Sequence, residues 1–160
     1  MITRYSTVAV ILLLATAMAS DFTDPFVGKW VLNPSLSKFP GGTCPKRMVI
    51  RMESAGQGIH YRSDAIYANG ATAHSEYTAD YNGKPSLVMG NHGMLLPVSL
   101  QRSNPRLVLA SYTKGFEVVA TSRRVVSKDG RRMTILTMSK DRTGAQVRTV
   151  GVYEKQREKP

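Results

Sequence analysis

Cysteine is nearly absent: Cys44 is the only one in 160 residues, so no disulfide can form within the chain, and core packing and hydrogen bonds must hold the fold. Acidic residues are scarce as well, with 11 Asp and Glu against 22 Lys and Arg and a formal charge of +11. Thirteen glycines and eight prolines are ordinary numbers, which excludes collagen-like and Pro/Gly-rich disordered chains. Beyond the N-terminus no apolar run approaches the roughly 20 residues that cross a bilayer as a helix, so the chain does not read as an integral membrane protein. Local catalytic signatures are missing too: there is no Gly-x-Ser-x-Gly elbow, His-Glu-x-x-His helix, Cys-x-x-Cys pair or phosphate-binding glycine loop. The three histidines, His60, His74 and His92, lie in separate segments without short ligand spacing. His74 and Glu76 share one face of an alternating segment, but Thr78 and Asp80 share it with them and mark it as the water-facing side. The expectation is a protein that is not an enzyme and uses no metal or cofactor. Without a recognition helix or a basic-aromatic motif, no specific nucleic-acid partner is expected either.

What the N-terminus does have is an address. Arg4 precedes the apolar run Val8–Ala15, and Ala17-Met18-Ala19 supplies the small-x-small pattern of a cleavage site, which predicts a signal peptide over residues 1–19 and one exported domain over 20–160. The mature chain would then be periplasmic or extracellular. Its charge is unevenly spread: residues 99–160 hold 14 basic and 5 acidic side chains, whereas 20–98 are nearly balanced.

From Lys46 onward, short period-2 segments alternate with turn residues, the signature of antiparallel strands. Met48, Ile50 and Met52 alternate with Arg47, Arg51 and Glu53; Ile59, Tyr61, Ser63 and Ala65 alternate with His60, Arg62 and Asp64; Ala73, Ser75, Tyr77, Ala79 and Tyr81 alternate with His74, Glu76, Thr78 and Asp80. Asn69-Gly70 and Asn82-Gly83 read as hairpin turns, because a type I′ turn needs positive φ at both central residues. Further alternating segments run through Val147–Glu154, giving about 8 to 10 strands and an all-β, antiparallel up-and-down barrel as the expected architecture.

The first strand of the mature chain reads Phe26-Val27-Gly28-Lys29-Trp30-Val31-Leu32. Gly28-x-Trp30 in that place resembles the start of lipocalins and their calycin relatives. The glycine would let the strand bend, and the indole would plug one end beneath an arginine from a late strand. The stretches His74–Lys84, Arg123–Gly130 and Val152–Lys155 extend the resemblance, which is to small exported bacterial lipocalin-like proteins. It implies a calycin-type barrel and carries over no catalytic or binding residue.

Alternation places Tyr61, Tyr67, Tyr77 and Tyr81 on the inward face, and counted from Phe116 it places Phe116, Val118, Ala120, Ser122 and Arg124 inward as well. Arg124 is therefore the candidate cation against Trp30. Phenols suit a pocket for an apolar molecule with a few polar atoms, and they equally suit a barrel filled by its own side chains. The leading expectation is a small, largely apolar ligand bound inside, with Tyr61, Tyr67, Tyr77, Tyr81 and Phe116 as its candidate lining. The alternative is a module that docks an anionic surface, such as a lipid headgroup, lipopolysaccharide or an acidic protein, through Arg123, Arg131, Arg132, Lys140, Arg142 and Arg148.

Overall fold

The computed structural model describes residues 23–157, so the predicted signal peptide lies outside the described residues. Eleven strands follow one another: β1 (Gly28–Leu32), β2 (Arg47–Ala55), β3 (Gly58–Ile66), β4 (Thr72–Asp80), β5 (Asn82–Ser86), β6 (Met89–Gly90), β7 (Val98–Asn104), β8 (Leu107–Lys114), β9 (Glu117–Val126), β10 (Arg132–Lys140) and β11 (Gln146–Lys155). They form one antiparallel sheet in the order β5-β7-β8-β9-β10-β11-β1-β2-β3-β4-β6. The sheet curls into a half-barrel, as expected for an all-β calycin-like fold. Among the described residues, no helix is long and apolar enough to cross a membrane.

Each strand contributes every second side chain to one interior, because successive residues of a strand point to opposite faces. Trp30 stands opposite Ile50 and Met52 opposite Tyr61; on the far side Met133 stands between Val126 and Tyr153. The core cluster gathers these with Phe26, Ile59, Ala79, Leu100 and Val108 at the end where β1 begins, hereafter the closed end. The turns 55–58, 104–107 and 127–131 lie at that end. The other end, with the turns 66–72, 114–117 and 140–146, is only partly covered, by the loop 87–97.

Asn82-Gly83 turns the chain without making a hydrogen-bonded hairpin. The chain reverses there, but β5 does not pair back onto β4: it pairs with β7, with a register shift between Asn82 and Pro85, so the two successive strands are not neighbours in the ladder. The positive φ of 79° at Gly83 falls within that reversal. Asn69-Gly70 also turns the chain, with Gly70 N–H donating to the Tyr67 carbonyl at 3.0 Å.

Candidate functional site

At the closed end the indole N–H of Trp30 donates to the Phe26 carbonyl at 2.8 Å, and Trp30 is fully buried. The cation over its ring is Lys155, 5.0 Å from the centroid, and not Arg124. Pairing of β1 with β11 sets Trp30 opposite Lys155, a register across 125 residues of chain that local alternation does not reveal. Gly28 makes room for this lysine. Its φ is +131°, and a Cβ there would sit 2.6 Å from the Lys155 Cε.

Asp24 completes the closed end. Its carboxylate pairs with Arg102 on β7 and accepts the Tyr81 hydroxyl at 2.9 Å, and the guanidinium lies 4.0 Å from the Tyr81 ring. Both partners are largely buried. Tyr81 thus belongs to this ionic plug rather than to a ligand pocket. Burial, with the Asp24 charge beside it, pushes its hydroxyl well above the usual tyrosine value.

Halfway up the interior the chemistry changes. Tyr61 and Tyr77, paired across β3 and β4, stack with ring centroids 4.7 Å apart. Arg124 reaches across from β9 and donates to the Tyr77 hydroxyl at 2.6 Å and to the Tyr112 hydroxyl at 3.0 Å, while its guanidinium lies 5.2 Å from the Tyr61 ring. Arg124 is only 3% exposed. Among the described residues the ion pairs engage Asp24, Asp64 and Glu76, and none engages Arg124. Arg124 Nε and Ser122 Oγ are, moreover, buried without a hydrogen-bond partner. A guanidinium does not lose its proton in a protein, so the interior holds a full positive charge met only by phenols. Burial holds the Tyr61 and Tyr77 hydroxyls above the ordinary tyrosine value, against the pull of Arg124, and keeps them neutral.

Above this layer lies a cavity of about 180 Å³, walled by Tyr61, Ser63, Tyr67, Ser75, Tyr77 and Tyr112 and roofed by Val88, His92 and Met94 from the loop 87–97. The loop is held to β4 by the exchange of two bonds: His74 N–H donates to the Asn91 side chain at 2.7 Å, and Asn91 N–H donates to the His74 carbonyl at 3.1 Å. Gly90 permits that approach, since a Cβ there would meet the His74 carbonyl at 2.0 Å. Each tyrosine oxygen that accepts from Arg124 keeps its own proton to donate, so Tyr77 and Tyr112 can offer cation-polarised O–H groups to whatever sits above them. A larger concavity of about 990 Å³ lies outside the sheet at the closed end, lined by Lys29, Arg131, Arg132, Glu154, Lys155 and Arg157 among others. It is an open, exposed cleft without buried unpaired polar groups, so the interior cavity is the candidate site.

Of the sequence-predicted lining, the structure brings Tyr61, Tyr67 and Tyr77 to the cavity and places Tyr81 in the plug. Phe116 is excluded from the interior: it sits in the β8–β9 turn, 109% exposed. The reason is a register shift between Tyr112 and Thr113, which breaks the alternation of β9 below Ala120 and turns Val118 outward as well. Tyr112 escaped the sequence reading. Its signal is the alternation Val108, Ala110, Tyr112. The arginines read as one basic patch are divided. Arg131 and Arg132 lie at the closed end, Lys140 and Arg142 at the opposite one about 26 Å away along β10, and Arg123 and Arg148 lie on the outer sheet face between them. His60 and His74 pair with carboxylates on the outer face, His74 bonded to Asp64 at 2.8 Å and 3.5 Å from Glu76, while His92 stands in the cavity roof.

A curled antiparallel sheet with a capped end, a charged middle layer and a small cavity under a loop defines a calycin-like half-barrel. Among solved structures the chain is similar to the zebrafish ileal bile acid-binding protein complexed with cholic acid, with a TM-score of 0.52 and 12% identity over 82% of this chain and 99% of that one. At that identity the likeness is one of fold. No protein-family model and no curated protein matches the chain.

Proposed function

We propose that this protein binds, without transforming it, a small amphipathic molecule carrying one anionic group, and that the anion is received in the interior by Tyr77 and Tyr112 backed by Arg124. The observation that carries the reading is the buried Arg124 guanidinium, paired with no carboxylate and standing behind the cavity wall. A buried charge costs several kcal/mol unless it is matched, and hydrogen bonds to charged groups recover about 1.5–3 kcal/mol each. An incoming carboxylate supplies the match. The similar zebrafish protein is complexed with an acid, which agrees with this chemistry. At about 180 Å³ the cavity is smaller than the roughly 300–1,000 Å³ of drug-sized sites, so it takes a short chain or the head of a longer one that displaces the loop 87–97. With the signal peptide read in residues 1–19, we place this binding outside the cytoplasm.

Calorimetric titration with octanoate and with octanol tests the reading. Octanoate should bind at least about tenfold more tightly, and Arg124→Met should erase the difference. Equal affinity for acid and alcohol in the parent protein would overturn it.

A further inference from the structure

The large apolar side chains left exposed on this molecule are unevenly placed. Of eight among the described residues, Leu87, Met89 and Leu95 lie in the segment 87–97, Phe116 and Val118 at the β8–β9 turn and Ile66 at the end of β3, all six at the open end, while Leu109 lies on the outer face of β8 and Leu36 in the segment after β1. No closed-end turn carries one. Exposed basic residues share the open end: Lys114 two residues before Phe116, Lys140 and Arg142 at the β10–β11 turn, and Lys46 and Arg47 where β2 begins. Two carboxylates stand among them. That of Asp141 is occupied within its own turn, accepting from Thr143 N–H at 2.8 Å, the Thr143 hydroxyl at 2.6 Å and Ala145 N–H at 3.0 Å.

We infer that the open end docks on an anionic lipid bilayer, with Phe116 entering the headgroup boundary and the surrounding lysines and arginines meeting lipid phosphates. These apolar side chains come from one loop, one turn and one strand end and are interleaved with cations, unlike the charge-depleted core of an interface between proteins. A fluid interface accepts them one by one, and each nearby cation adds attraction to an anionic leaflet. The closed end is basic too, through Arg131, Arg132 and Lys128, but it lacks the apolar component, so charge alone does not define the surface. This inference deepens the ligand-binding reading. The cavity lies at the same end, and its roof loop carries Val88 and Met94 inward and Leu87 and Met89 outward, so docking would present the cavity to molecules dissolved in the bilayer.

The test is co-sedimentation of the full chain with phosphatidylcholine vesicles, with and without one-third phosphatidylglycerol. Binding should require the anionic lipid and weaken with added salt. Phe116→Ser, at a fully exposed position that leaves the fold intact, should lower partitioning about tenfold. The pair Lys140→Glu and Arg142→Glu should weaken it strongly, and the closed-end pair Arg131→Glu and Arg132→Glu much less. Arg124→Met should bind vesicles like the parent, so loss of octanoate selectivity and loss of docking are read separately. Equal losses from the two charge-reversed pairs, or no binding at low ionic strength, would overturn the inference. So would a self-association, measured without vesicles, that Phe116→Ser abolishes, because the face would then join two copies of this chain.

Discussion

Two arginines are buried in this half-barrel, and they are treated in opposite ways. Arg102 at the closed end meets the Asp24 carboxylate, stacks on Tyr81 and ties the N-terminal segment to β7. Arg124 in the middle layer meets the hydroxyls of Tyr77 and Tyr112 and, among the described residues, no carboxylate. In the first arrangement the charge is matched by a carboxylate and serves stability. The second spends stability on a charge that the fold itself does not use, and such unmatched groups concentrate where a partner is to be bound. The same division runs along the molecule's length: at the closed end the interior holds the buried apolar cluster and the ionic plug, and at the open end it holds a cavity under the loop 87–97.

The sharpest way to break this contrast is to remove the carboxylate of the plug. Asp24→Ala strands Arg102 and the Tyr81 hydroxyl in a largely buried setting, and urea unfolding should show a loss of about 3 kcal/mol. An effect below about 1 kcal/mol would mean that the ion pair is no more than a surface contact.

Alkaline titration comes next. Tyr77 has a folded pKa raised above its ordinary 10.0, chiefly by burial, so its contribution is fully present below pH 10 and is lost as pH rises beyond that. Stability should be flat to about pH 9 and then fall by up to about 1.4 kcal/mol per pH unit for this fully buried tyrosine. Tyr77→Phe should flatten the fall, as measured by the urea midpoint against pH. Tyr81→Phe should do so less, because Tyr81 retains contact with solvent.

The smallest expected change is the most telling. Arg124→Met removes a buried charge and replaces it with an apolar side chain of similar reach, so stability should shift by no more than about 1 kcal/mol in either direction while acid selectivity disappears. A loss comparable to that of Asp24→Ala would make Arg124 a second structural plug.

Much of the architecture was legible because period-2 alternation is written into each strand: Tyr61, Tyr77 and Arg124 are inward as their neighbours' spacing requires. What was not legible depends on register between distant strands. Trp30 is covered by Lys155 because β1 pairs with β11, a fact absent from either strand alone. Phe116 and Val118 defeat the count because one bulge shifts the ladder and turns the faces over. Asn82-Gly83 does turn the chain, yet β5 pairs with β7 instead of folding back onto β4, a choice made by tertiary pairing and not by the turn residues. The orphaned Nε of Arg124 is likewise a property of three strands together.

The pairing of β1 with β11 has a further consequence for how the chain reaches this state. Val31 lies opposite Glu154, so the first strand has no partner on one side until the chain has been made through β11. Contacts so distant in sequence carry a large loop-closure cost and slow the folding of β proteins. Trp30, which depends on both neighbouring strands for its burial, should therefore report the last step of assembly. Its fluorescence offers a natural clock for the completion of the sheet.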